Sequence, residues 1–140
     1  MRRVFLVGLG AGVVFLVLDG ILNGNPLAQR LYAPYLPFAR SSVNAVAGSL
    51  IDLVYGVVLA WLFVRLRPSL PGRTWLTRGV SFGLIVWFLR VLMRVAGEWV
   101  MTTVPASVHA YSLVAGLVQV LVVTIMIASL LKGAAARERA

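Results

Sequence analysis

The chain has 140 residues, 61% of them apolar and 12% charged, with a mean hydropathy of +0.95. Soluble domains carry about 45–50% apolar and about 25% charged residues, so lipid is the expected solvent; disorder, a collagen repeat, a disulfide scaffold and a soluble nucleic-acid-binding domain are poor fits. The formal charge of +9 sits in short clusters between apolar runs, and the absence of cysteine excludes disulfides, thiol catalysis and cysteine-ligated metals.

A spanning helix needs about 20 mainly apolar residues at about 1.5 Å rise each. Four segments qualify, at about 4–23, 43–63, 76–101 and 107–131. The first follows Met1-Arg2-Arg3, which could imitate a secretory signal. The run continues through Asp19-Gly20-Ile21-Leu22-Asn23 without a small-residue cleavage site, so an uncleaved span is expected.

Residues 24–42 carry Pro26, Pro34 and Pro37 with Tyr32, Tyr35 and Phe38, and read as an outer interfacial loop. Asn25 followed by Pro26 suits a helix cap and first turn, with Leu27 and Leu31 on one face. An interfacial linker is the simpler reading of this short helix, and a lid over the outer mouth is the functional one. Residues 64–75 form a basic inner loop broken by Pro68, Pro71 and Gly72. The third span is the weakest, because Arg90, Arg94 and Glu98 interrupt its second half. After the fourth span, residues 133–140 read as a cytoplasmic tail.

The cations orient these segments. With both termini inside, nine cations fall on the cytoplasmic side (Arg2, Arg3, Arg65, Arg67, Arg73, Arg78, Lys132, Arg137 and Arg139) against two, Arg30 and Arg40, outside. The expected fold is therefore an all-α integral membrane protein. It would be a single antiparallel up-down-up-down four-helix transmembrane bundle over 1–132 with both termini cytoplasmic. A bacterial inner (cytoplasmic) membrane is the expected location.

Asp19, Asp52 and Glu98 lie in or beside a span, where a charge costs roughly 2.5–3.5 kcal/mol at the bilayer centre and must be paired, neutralised or hydrated. Measured from the inner interface, Arg90 lies at about 18 Å and Asp52 at about 17 Å, while Arg94 and Asp19 both lie at about 24 Å. Equal depth predicts two buried pairs, Arg90 with Asp52 and Arg94 with Asp19. Helical spacing then groups Gly8, Gly12, Phe15, Asp19 and Asn23 on span one, and Asn44, Gly48, Asp52, Tyr55 and Gly56 on span two. Span three offers Gly83, Arg90, Arg94, Gly97 and Glu98, and span four His109, Ser112, Gly116, Gln119 and Met126. Small residues align with polar ones on each, the pattern of close helix packing with polar glue.

Two functions compete for this pattern. One is a structural or accessory role, with the bundle held by the Arg–carboxylate pairs, which suit the planar, always-charged guanidinium. The other is a solute-, ion- or proton-handling protein. Its polar cavity would open to the outer side and draw on Asp19, Asn23, Asn44, Asp52, Tyr55, Arg90, Arg94, Glu98, His109, Ser112 and Gln119. His109 could exchange protons with Glu98, although an interface role is simpler. A single histidine rules out bis-histidine haem ligation within the chain, and no metal-ligand spacing is present, so no cofactor or metal is expected. Catalytic fingerprints are missing too; Gly8-Leu9-Gly10-Ala11-Gly12 lies inside a span with no preceding strand, where close packing is its natural role. The expected partners are the lipid bilayer and either another membrane protein or further copies of the chain, with no nucleic acid.

Overall fold

A computed structural model of the chain describes residues 1–39, 42 and 44–132. The expectations for the 133–140 tail, for Arg40 and for a span beginning at Val43 fall on residues outside that set. Four helices are long and apolar enough to cross a membrane: Arg2–Gly24, Ala45–Leu66, Trp75–Met101 and Ala106–Leu131. The shortest has 22 residues, about 33 Å at helical rise, against a hydrocarbon core of about 30 Å.

Helix α1 (Arg2–Gly24) leads into a short α2 (Pro26–Leu31) and a 3₁₀ turn (Ala33–Phe38), followed by α3 (Ala45–Leu66). The third long helix comprises α4 (Trp75–Trp87), a π-helical turn (Phe88–Leu92) and α5 (Met93–Met101); α6 (Ala106–Leu131) completes the chain. Local chemistry fixes the helix starts. Asn25 Oδ1 accepts from Ala28 N at 2.9 Å with Pro26 in the first turn, and Asn44 Oδ1 accepts from Ala47 N at 3.0 Å. Thr74 and Thr77 form a reciprocal capping box at the start of α4. The turn before it contains Gly72 at φ 118, a left-handed backbone that glycine adopts without steric cost.

Small residues set the packing. Gly8 lies against Val57 and Gly12 against Leu53, so α1 and α3 run antiparallel with their backbones touching. Gly79 meets Ala128 and Gly83 meets Thr124, giving α4 and α6 the same relation. Between α1 and α6, Arg3 reaches the Leu130 carbonyl while Gln119 reaches that of Phe15, again in opposite order. Gly48 and Gly97, which share the expected polar stripes, face open space instead.

The two halves of the bundle differ. Towards the chain termini, Phe63, Phe82, Ile127 and Leu131 form a closed apolar core, with Phe63 and Phe82 edge to face at 5.5 Å. Arg3 and Arg67 donate to the Leu130 and Leu131 carbonyls at 2.7 and 3.2 Å, satisfying the open C-terminal turn of α6. At the other end α2 and the 3₁₀ turn fold over the helices, and polar side chains replace the apolar core. Large apolar residues such as Phe5, Val17, Ile51, Val54 and Val118 face outward, as a lipid-facing surface requires.

Candidate ligand cavity

That second half holds an open-sided cavity of about 620 Å³. Helix α1 contributes Asp19, Leu22 and Asn23, and α6 contributes Ser112, Ala115, Gly116 and Gln119. The third long helix supplies Arg90, Val91, Arg94 and Glu98, while Tyr32 and Tyr35 close the loop end. Gly116 lets Val91 pack directly onto α6, since a Cβ there would lie 2.7 Å from Val91 Cγ1.

The loop segment is fastened to the bundle. Asn25 Nδ2 donates to the Leu22 carbonyl at 2.7 Å and to the Tyr111 hydroxyl at 2.9 Å, and Tyr111 in turn donates to Leu22 O. Tyr32 shares a hydrogen bond with Ser112 Oγ at 3.2 Å, and its ring meets Tyr111 edge to face at 5.9 Å. Tyr35 donates to Glu98 Oε2 at 3.2 Å. Burial pushes the Tyr35 phenol above its ordinary 10.0, and the adjacent Glu98 carboxylate pushes it further in the same direction.

The two expected buried Arg–carboxylate pairs do not form. Among the described residues, the only ion pair within 4.0 Å is Arg94–Glu98 at 3.1 Å, one turn apart on the same helix. Those side chains are 60% and 29% exposed, so the pair neither lies buried nor joins two helices. Asp19 accepts instead from Asn23 Nδ2 at 2.9 Å and from Gln119 Nε2 at 3.3 Å. The Arg90 guanidinium sits 4.5 Å from the Phe15 ring centroid and 4.1 Å from that of Tyr55, a cation–π arrangement in place of a salt bridge. An intramembrane salt-bridge network is therefore not what holds this bundle together, and the structural role inferred from it falls with it.

The error lies in depth, by about one turn: Arg90 meets Phe15 and Tyr55, which share the expected faces of Asp19 and Asp52 but lie one turn from them along α1 and α3. Tyr55 also meets Phe15 of α1 edge to face at 5.2 Å, and Asp52, one turn away, is buried with its backbone carbonyl beside Gly12. The π turn matters as well. Met93 N–H donates to the Phe88 carbonyl, five residues back, so an extra residue enters the helix around Arg90. A face drawn with α-helical spacing across Phe88–Leu92 therefore assigns the wrong neighbours.

Of the eleven candidate side chains, Asp19, Asn23, Arg90, Arg94, Glu98, Ser112 and Gln119 line the cavity together. Tyr55 adjoins it beneath Arg90, while Asn44 is an exposed helix cap. His109 is 5% exposed, and neither ring nitrogen has a hydrogen-bond partner among the described residues. Glu98 is bonded to Arg94 and Tyr35, not to His109. Tyr32 and Tyr35 read from sequence as interfacial anchors; their hydroxyls, facing Ser112 and Glu98, are the signal which that reading passed over. No group of three or more His, Cys, Asp or Glu side chains converges among the described residues.

The fold and cavity have the character of a multi-pass membrane protein, with an apolar exterior and one polar half inside. Comparison of the chain with protein-family models, curated proteins and solved structures gives no match.

Proposed function

We propose that the chain is a small multi-pass membrane protein that binds a polar ligand carrying an anionic group in this cavity. In this reading the four helices cross up-down-up-down in a bacterial cytoplasmic membrane with both termini cytoplasmic. The cavity then faces the outer side. The cation bias supports this orientation.

One observation carries the reading: Arg90 lines the cavity with no carboxylate within 4.0 Å among the described residues. A guanidinium is always charged, and its planar fork of donors suits anionic oxygens. The other lining charges have fixed partners: Arg94 and Glu98 pair with each other, and Asp19 accepts from two side-chain amides.

The cysteine-free chain offers a direct test, in which Ser112→Cys places the sole thiol on the cavity wall. In intact cells, anionic sulfonatoethyl methanethiosulfonate should label it faster than the trimethylammonioethyl reagent, by about tenfold relative to a free thiol, the scale on which charged clefts concentrate counter-ions. Adding Arg90→Gln should abolish the preference. An introduced thiol closed to both reagents, or a preference unchanged without Arg90, refutes the proposal.

A further inference from the structure

The cavity holds two opposite charges that do not meet. Arg90 lines it from the third long helix, against the Phe15 and Tyr55 rings, and Asp19 lines it from α1. Their charged atoms lie more than 4.0 Å apart, and neither has another ion partner within that distance among the described residues. Asp19 is also only half used as an acceptor. Asn23 Nδ2 and Gln119 Nε2 both donate to Oδ1, at 2.9 and 3.3 Å, and no donor among the described residues is bonded to Oδ2. Arg94 and Glu98 pair with each other, so the charges left open in the cavity are one cation and one anion.

We infer that the ligand is a zwitterion, its anionic group on Arg90 and its ammonium on Asp19. This rests on the ligand-binding reading of the cavity and adds the second charge. A ligand that is only an anion would bring like charge towards a carboxylate with no counter-cation, and such juxtaposition weakens binding. An ammonium has three donors, and an ionised carboxylate accepts on both oxygens. One ammonium N–H therefore completes Oδ2 without displacing either amide, while the two amides fix the carboxylate's orientation. A charge inside a membrane-spanning bundle is costly without a partner, and a ligand of both signs supplies one to each. The volume agrees: about 620 Å³ lies within the range of organic-ligand pockets and exceeds what a single ion fills. The chemistry required is an ammonium joined to a carboxylate or phosphate, which amino acids and ethanolamine lipid heads share.

The test uses the full chain with Ser112→Cys in dodecyl maltoside, and reads how far each compound slows labelling of the thiol by uncharged N-ethylmaleimide. A series of ω-amino acids (glycine, β-alanine, γ-aminobutyrate, δ-aminovalerate and ε-aminocaproate) varies the separation of the two charges. At least one should protect at a concentration about tenfold or more below that of butyrate or butylamine, as for an added charge-assisted contact. Glycerophosphoethanolamine and dihexanoyl phosphatidylethanolamine present the lipid head without and with chains, with glycerol phosphate as the amine-free control. Protection by an ω-amino acid or the chainless head assigns a free solute, and protection by the chain-bearing form alone assigns a lipid head; either supports the zwitterion. Asp19→Asn keeps an acceptor oxygen for the two amides. It should erase the advantage of the zwitterion and strengthen the preference for the anionic methanethiosulfonate, because a negative charge leaves the wall. If no zwitterion outcompetes its amine-free control, or the advantage survives Asp19→Asn, the zwitterion assignment is overturned; an intact anionic-reagent preference then leaves the cavity reading standing. Absence of that preference in Ser112→Cys alone removes both.

Discussion

The α1–α3 crossing gives the sharpest quantitative expectation, because its contacts are backbone to backbone. A Cβ at Gly56 would lie 2.6 Å from Gly12 Cα and 2.5 Å from the Gly8 carbonyl oxygen. Ordinary contact begins near 3.4 Å, and neither group can turn aside as a side chain tip would. Relief requires α1 and α3 to separate by about 1 Å, a gap that forfeits a quarter to a half of the dispersion attraction along the crossing. Gly56→Ala should therefore cost about 2–3 kcal/mol, towards the upper end for overpacking. Gly10→Ala supplies the control on the same pair of helices: nothing lies within 4 Å of its added methyl group. It should leave stability unchanged or raise it by up to about 1 kcal/mol, the gain of alanine over glycine inside a helix. Equilibrium unfolding in mixed dodecyl maltoside and sodium dodecyl sulfate micelles, followed by tryptophan fluorescence, measures both. A Gly56→Ala variant as stable as the parent, or equal damage from Gly10→Ala, would refute the close-packing argument.

Two further outcomes concern the loop end of the bundle. His109→Leu should raise stability by about 1–2 kcal/mol in the same unfolding assay, since it removes a buried imidazole with two unbonded nitrogens; a loss of that size would mean the ring is bonded in the folded protein. Tyr35 should titrate above 10.0, and Glu98→Gln should bring it part of the way back, leaving the share due to burial. Because the folded-state value is raised, the associated stability is fully present below about pH 10 and lost as pH rises through the raised value. Ultraviolet titration of tyrosinate, with Tyr35→Phe for assignment, reads this directly; a Tyr35 titration unmoved by Glu98→Gln would break the link.

The four long apolar helices were legible from the amino-acid order alone, because each carries its own signal in length and hydropathy and needs no partner to be recognised. So was the Asn25–Pro26 helix start, a local hydrogen bond between neighbouring residues. Periodicity pointed to Gly8, Gly12 and Gly56 for the same reason, since an uninterrupted helix keeps its faces in register. It could not say that Gly48 and Gly97, equally placed on their stripes, meet nothing.

The partners of the charges, by contrast, emerged with the packed bundle. Counting residues gives position along one helix, but the height at which two helices meet depends on how they pack and where helical geometry changes. Within the π turn at Phe88–Leu92 the Arg90 guanidinium meets Phe15 and Tyr55, on the expected faces but one turn from Asp19 and Asp52. The tyrosine wall of the cavity was equally beyond reach of spacing rules. Tyr32 and Tyr35 arrive from a connecting segment whose path is set by the Asn25–Tyr111 anchor, 86 residues apart in the chain.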